Sequence, residues 1–403
     1  MSIFDYALSA SSSTLNAHNR KPSDNALLLE RNADLCDGAS GRNSGVICTG
    51  VDAAAGTLER ALIRDSISAV RGFCGRHNVP TRECGSLVCL WPWDEAGGEA
   101  DDSADSSADD RPAHERLRDV LEESHSAGDS DARLVSSREV SELEPSLSRA
   151  CGGAVHIPGE IVTDPWLFPV ALAAHAREVA AASGTGGDVI RCGVEADMGR
   201  SSFDPEEGVW TIETRPAGGG GAGDTVRARC VVNAAGINAD LVQSEASPGD
   251  GGRLPGPTFA ARPRRGQYAV FAASPEDERR GRPGNPQNSD AGRARVAPRS
   301  VPTRPIQPVP SQFTKGIFVY STLYDQLVVG PTALDQASRT DDSVDPAVRE
   351  DLVAHASRVM GERFDPSRLV GEYVGIRPGT DGRHYQVSIF DYACLQGLLH
   401  LHA

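Results

Sequence analysis

A short apolar run ending in an acid, Ala26–Glu30 (ALLLE), leads into a loop of small and polar residues, DGASGRNSG (37–45), and then into TLERAL (57–62), where helical spacing begins. That order constrains the chain more than any other feature in it. A buried strand whose last residue is a carboxylate can present it to ribose hydroxyls in a dinucleotide-type sheet. A Gly/Ser/Asn loop running towards a helix leaves backbone N–H groups free for a diphosphate. Each feature alone also has an ordinary reading: surface strands often end in Glu, and Asn43 and Ser44 could simply cap a helix.

The remaining periodicity alternates strands and helices early and is mostly strands later. A helix is expected over Gly56–Gly72, from Leu58, Leu62 and Ile67, and a strand over Gly85–Trp91. The acidic, Ser-rich stretch 94–131 reads as a solvated insertion with a short helix near Glu115–Glu123. Pro165–Ala182 reads as a helix with a proline-marked start. Strands are expected at Val189–Ile190, Val209–Thr214, Val226–Asn233, Gln267–Phe271, Gly316–Tyr320 and Gln326–Gly330, and a helix at Pro346–Met360. PAGGGGAG (216–223) joins two strands and opens no helix, so a hairpin loop is expected there rather than a phosphate cradle. Residues 244–262 and 273–305 read as loops. The pattern predicts an α/β (α+β overall) fold: a Rossmann-like nucleotide-binding layer beside a second, mainly antiparallel β-sheet substrate domain.

Composition narrows the partners. The chain has 403 residues and a net charge of -16, from 40 basic and 56 acidic side chains. Such a balance disfavours a nucleic-acid or anionic-membrane surface, while leaving room for a small basic pocket. The nine cysteines form no C-x-x-C pair, so neither a metal site nor a disulfide framework is expected. A reducing intracellular compartment, cytoplasm or mitochondrion, is the simpler expectation. No stretch is apolar for long enough to predict a transmembrane segment.

A resemblance sharpens these expectations. LLLERNADLCDGASGRNSGVICTG (27–50), GTLERAL (56–62), VPTRECGSLVCL (79–90), LEPSL (143–147), GGAVHIPGEIVTDPW (152–166), VVNAAGINAD (231–240), RRGQY (264–268), VGPTA (329–333) and GIRP (375–378) follow one another in order. Together they resemble the FAD-dependent oxidoreductases of the D-amino-acid oxidase/glycerol-3-phosphate dehydrogenase superfamily, including L-2-hydroxyglutarate oxidases. The resemblance implies FAD as cofactor, with Glu30 on the adenosine ribose. It places Ser40, Asn43, Ser44 and Gly45 along the diphosphate and flavin, and Ala234, Ala235, Gly236 and Gly375 close to the cofactor. Arg377 would clamp a carboxylate or phosphate above the isoalloxazine. Tyr268 and Cys48 are further catalytic candidates; Cys48 stands where several relatives carry His, and a buried small residue is its ordinary reading. No base is singled out among His156, His384, Tyr268 and Tyr320.

The resemblance further implies hydride transfer from a small anionic alcohol, such as glycerol 3-phosphate or a 2-hydroxy acid, to flavin N5, with an amino acid as the alternative substrate. Quinone, oxygen or an acceptor protein would take the electrons. It implies a discontinuous FAD-binding domain (26–75, 151–240 and 366–403), a substrate domain (76–150 and 255–365) and an atypical segment 1–25. That segment contains no glycine, whereas the family opens with a strand and a G-x-G-x-x-G turn. SIFDYA occurs at 2–7 and again at 388–393. Both features predict termini altered by a rearranged coding segment, and they keep open a second reading, a non-catalytic relative that no longer holds FAD.

Overall fold

The computed structural model describes residues 26–51, 53, 55–95, 111–182, 189–221, 223–246, 259–275, 277, 299–310, 316–380, 386–392 and 395–402. Strand β1 (Leu28–Glu30) leads through the small-residue loop to β2 (Val46–Ile47) and helix α1 (Leu58–His77). Next come β3 (Thr81–Glu83), β4 (Ser86–Leu90), α2 (Ala113–Ser126), β5 (Arg133–Ser136), α3 (Ser137–Leu143), β6 (Gly153–Ile157), β7 (Ile161–Thr163) and α4 (Leu167–Ala182). Strands β8 (Ile190–Cys192), β9 (Val194–Asp204), β10 (Val209–Pro216), β11 (Thr225–Ala228) and β12 (Val231–Asn233) precede α5 (Ala239–Glu245). The chain then forms β13 (Ala261–Phe271), β14 (Ile306–Pro308), β15 (Phe318–Ser321), β16 (Leu327–Gly330), β17 (Leu334–Asp335) and α6 (Pro346–Met360). It ends with β18 (Leu369–Thr380), β19 (Gln386–Tyr392) and β20 (Leu395–His402).

Helix ends follow local chemistry. The Thr57 hydroxyl accepts from the Arg60 N–H at the start of α1, and Asn78 closes that helix in the left-handed region. Glu139 and Ser136 form a reciprocal capping box on α3. Asp345 caps α6 with Pro346 in its first turn, and the Pro346–Met360 span expected from sequence is the one observed.

The largest sheet has nine strands in the order β17-β13-β16-β15-β14-β4-β6-β5, with β18 on the other edge of β13. It is antiparallel except at β4–β14. Helix α6 covers one face through Leu352, Ala356, Val359 and Met360, which pack with Phe271, Val329 and Ile306. Helix α2 covers part of the other face, placing Leu117 and Val120 against Val88, Val155 and Ile157. The 94–131 stretch, expected to be a solvated insertion, therefore contributes a core helix at its described end; residues 96–110 lie outside the described residues. Spacing explains this, since Leu117, Val120 and Leu121 fall on one helical face despite the charged neighbours.

Two parallel pairings mark the nucleotide-type layer. Strand β1 runs parallel to β8, with Leu28 opposite Ile190, and β12 runs parallel to β20, with Val231 opposite Leu398. Among the described residues, no strand joins these two pieces. Residues 388–392 of the repeat copy fall in β19, while residue 393 and segment 1–25 lie outside the described residues.

Several expectations are corrected. Val226–Asn233 is not one strand: Thr225–Ala228 pairs with β10, while Val231–Asn233 joins β20 in a different sheet. The Gly run does link antiparallel β10 and β11. The loop expected over 244–262 gives way to β13 at Ala261, and Val194–Asp204 forms a long strand that alternation did not reveal. Sheet membership also cuts across the expected partition. Both β6 and β18 fall in segments assigned to the cofactor-binding part, yet they hydrogen-bond into the nine-stranded sheet. The reason is main-chain pairing: β18 matches β13 from Thr380 opposite Ala261 to Leu369 opposite Phe271.

Candidate functional site

The antiparallel ladder β13–β18 sets Arg264 opposite Arg377, Gly266 opposite Gly375 and Tyr268 opposite Tyr373. Residues two apart on a strand, and their cross-strand partners, share a face. These six residues therefore project from the face opposite the one that carries Ala269 and Phe271 to α6. Tyr268 and Tyr373 stack with centroids 4.4 Å apart and planes within 13°. Tyr320 packs into the same cluster with Phe318 and Val328. Burial pushes all three phenols upward, Tyr373 to about 12, so each remains protonated across the neutral range.

Arg377 occupies an unusual setting. It donates to the Thr332 carbonyl, and its guanidinium leans over Gly266, where an added Cβ would meet Nη2 at 3.3 Å. Desolvation by the surrounding protein lowers its pKa, the nearby Tyr268 hydroxyl opposes that, and the Arg264 charge lowers it further. The side chain is nonetheless open to solvent. Among the described residues no carboxylate pairs with it, whereas Arg264 and Arg265 have Asp335 and Asp341. An exposed, partly desolvated cation with no described carboxylate partner is suited to an incoming anion.

The small-residue loop rests on this face. Arg42 donates from Nη1 to the Val374 carbonyl at 3.3 Å and to Asp342, and from Nη2 to Asp37 at 3.2 Å. The Tyr373 hydroxyl donates to the Asn43 carbonyl at 3.4 Å. Gly375 permits the approach, since a Cβ there would stand 2.3 Å from the Arg42 carbonyl oxygen. Asn43 holds the loop from within: its amide donates to the Ala39 and Ser40 carbonyls, and its Oδ1 accepts from the Gly45 N–H at 2.8 Å. The Ser44 hydroxyl accepts from the Val46 N–H. Neither caps a helix; Thr57 does that for α1. Gly45 has φ of 67°, and its carbonyl accepts from the Thr163 N–H, tying the loop to β7.

The other expected cofactor residues lie at strand ends. Glu30 closes β1, half-buried, one oxygen accepting from the Asn32 N–H at 2.7 Å. Ala234 and Ala235 are exposed just beyond β12, and nothing lies within 4 Å of where a Gly236 Cβ would be. This turn is held by a pair that sequence reasoning missed. Arg339 grips Asp240 with two bonds of 2.7 and 2.8 Å and donates to the Ile237 carbonyl. Burial pushes the Asp240 carboxyl up, but Arg339 and the Ala261 and Leu241 N–H groups outweigh it and hold the carboxyl below its usual value.

The structure thus brings Arg377, Tyr268, Gly375 and the Ser40–Gly45 loop together. Cys48 follows β2, its thiol 3.9 Å from the Val46 carbonyl. His156 sits in β6, half-buried, and accepts from Arg304 at Nε2. His384 lies outside the described residues. Tyr373 and Arg42 were also missed. The alternation Tyr373, Gly375, Arg377 could have revealed the first, whereas nothing in a loop sequence marks the reach of Arg42.

Residues 11–402 match the family model described as FAD dependent oxidoreductase (DAO). Over 316 residues the chain is 24% identical to a glycerol 3-phosphate dehydrogenase of Caloramator mitchellensis, a match covering 78% of this chain and 52% of that protein. Over 126 residues it is 26% identical to the mitochondrial L-2-hydroxyglutarate dehydrogenase of Nematostella vectensis, covering 31% of this chain and 24% of that one. The chain therefore spans about half the length of the first relative, 52%, and less of the second. The L-α-glycerophosphate oxidase of Mycoplasma pneumoniae, solved with FAD bound, aligns with a TM-score of 0.67 at 18% identity, over 93% of this chain and 82% of that one. Glycine oxidase of Geobacillus kaustophilus aligns at 0.63 and 16%, over 93% and 81%. At these identities the structural likeness is one of fold. With the family model running from residue 11 to residue 402, the chain belongs to the DAO family of FAD-dependent oxidoreductases.

Proposed function

We propose that this chain oxidises a small anionic alcohol, such as glycerol 3-phosphate or a 2-hydroxy acid. The carrying observation is Arg377: open to solvent, backed by protonated tyrosines and unneutralised by any described carboxylate. Its planar fork suits two oxygens of a carboxylate or phosphate. Tyr268, kept protonated by burial, serves to orient substrate rather than to remove a proton.

The described residues fit FAD in three places. Glu30 offers a carboxylate at the end of β1 for the ribose. The Ala234–Gly236 turn presents small side chains and open space. The loop from Ser40 to Gly45 lies between that layer and Arg377. When bound, FAD supplies the acceptor for the hydride leaving the alcohol carbon. The protein positions the anionic end of the substrate and lines the cofactor with small residues. Electrons would pass on to quinone, oxygen or an acceptor protein. No helix among the described residues is long and apolar enough to cross a membrane.

The second reading is a relative that does not hold FAD. Purifying the full chain with FAD supplied and recording its visible spectrum separates the two. A flavin band that bleaches anaerobically on adding glycerol 3-phosphate or a 2-hydroxy acid supports the catalytic reading. A colourless protein overturns it, and bleaching only by an amino acid would replace the substrate class.

A further inference from the structure

Two imidazoles at a helix seam play no part in the oxidoreductase chemistry. His77 is the last residue of α1; His175 lies within α4, with Glu178 one turn further on. The rings stand 4.4 Å apart, centroid to centroid, tilted by 54°. Phe73 backs both, stacking on His77 at 4.3 Å and meeting His175 at 6.0 Å with planes 65° apart. One ligating atom from each of His77, His175 and Glu178 can be chosen so that all three lie within 4.8 Å of one another. His175 Nδ1 is buried without a hydrogen-bond partner; Glu178 Oε2 stands 3.7 Å away, beyond hydrogen-bond reach.

We infer that His77, His175 and Glu178 form a site for a divalent transition-metal ion of the zinc class, clamping α1 to α4. Two imidazoles and a carboxylate are a donor set such ions favour, with a fourth position left for water. Around a tetrahedral ion with bonds near 2.0–2.2 Å the ligand atoms lie roughly 3.3 Å apart, so the three need to close by about 1.5 Å. Glu178 is free to swing towards both imidazoles, because its side chain is 72% exposed, and it already stands 3.7 Å from His175. The position also suits a cation, since α1 ends at His77 and the carbonyl end of a helix is its negative pole. The ordinary alternative, a simple contact between His175 and Glu178 one turn apart on α4, accounts for that pair but not for a second imidazole drawn to 4.4 Å. The ion would join the helix that follows the small-residue loop to the helix that follows β7, stiffening the frame on which the loop sits.

The test uses the full chain, stripped with a chelator and titrated with cobalt(II) near neutral pH. The expected result is the strong visible absorption of four-coordinate cobalt, saturating at one equivalent and displaced by zinc(II), which also raises the thermal unfolding midpoint. His175→Gln and Glu178→Gln should each weaken binding by roughly tenfold or more; Glu178 is exposed, so that variant keeps the fold intact. The proposal is overturned by a weak six-coordinate spectrum, by equal binding in wild type and both variants, or by a thiolate-to-cobalt band showing that cysteines hold the metal.

Discussion

Replacing Arg377 with Met keeps a long unbranched side chain and removes the guanidinium, which separates what the cation does for the fold from what it does for a ligand. For the fold, Arg377 donates one hydrogen bond, to the Thr332 carbonyl, worth about 1 kcal/mol. Against that stand its desolvation and the charge of Arg264, both of which lower its pKa and therefore disfavour the charged form. These oppose the hydrogen bond, so Arg377→Met should change folding stability by no more than about 1 kcal/mol. For an anionic substrate the loss is larger. Truncating one partner of a close charge pair costs roughly 2–5 kcal/mol, or about 30- to 5,000-fold in kcat/KM. Arg377→Lys should fall between, since it keeps the charge and loses the fork. The assay is anaerobic bleaching of the FAD-loaded protein by glycerol 3-phosphate and by a 2-hydroxy acid, alongside urea unfolding of each variant. Unchanged kcat/KM in Arg377→Met would remove the residue from the site. A stability loss of about 3–5 kcal/mol would show that the cation belongs to a buried ion pair and is not free to clamp a ligand.

Gly375→Ala should destabilise the protein by about 1–3 kcal/mol and lower its flavin-to-protein ratio, because the new Cβ would stand 2.3 Å from the Arg42 carbonyl oxygen and push the loop away. Gly371→Ala on the same strand, with nothing within 4 Å, is the control and should leave flavin content unchanged. His156 supplies a pH dependence: burial, then the Arg304 and Arg133 charges, lower its folded pKa. The unfolded chain, titrating near 6.5, takes up the proton first. Stability is thus complete above about pH 6.5 and falls as pH drops towards the folded pKa, and His156→Gln should flatten that slope in urea unfolding followed from about pH 7 to 5. A slope that persists in the variant would assign it to other groups.

What could be read from sequence divides along physical lines. Two helices were legible: α1 from the spacing of Leu58, Leu62 and Ile67, and α6 over Pro346–Met360. Strands with strong apolar character, such as Ser86–Leu90 and Leu327–Gly330, were legible too. The strands that were missed carry polar residues on one or both faces. Val194–Asp204 includes three acids, one arginine and two serines, and it is stabilised by pairing with β10 rather than by its own composition. Sheet membership was not legible, because the partners of β18 lie a hundred residues away in β13 and register is a tertiary property. The same holds for the site. Arg377, Tyr268 and the Asn43 loop could be named from the family resemblance, but the contacts of Arg42 with Val374 and of Arg339 with Asp240 join segments that sequence order keeps apart.

Those long-range contacts decide how the site can work. The loop expected to face the cofactor is fastened to the strand that carries the proposed anion clamp: Arg42 and Asn43 meet Val374, Tyr373 and Gly375 within one stretch of β18. Two residues further along that strand stands Arg377, so any displacement of the loop is transmitted over a single pleat. On the proposed assignment, the cofactor-facing loop and the substrate-facing strand form one mechanical unit, and a displacement of the loop should register at Arg377. Gly375→Ala, besides losing stability and flavin, should therefore lower kcat/KM for the anionic substrate in its flavin-loaded fraction, an outcome that an independent loop and clamp would not give.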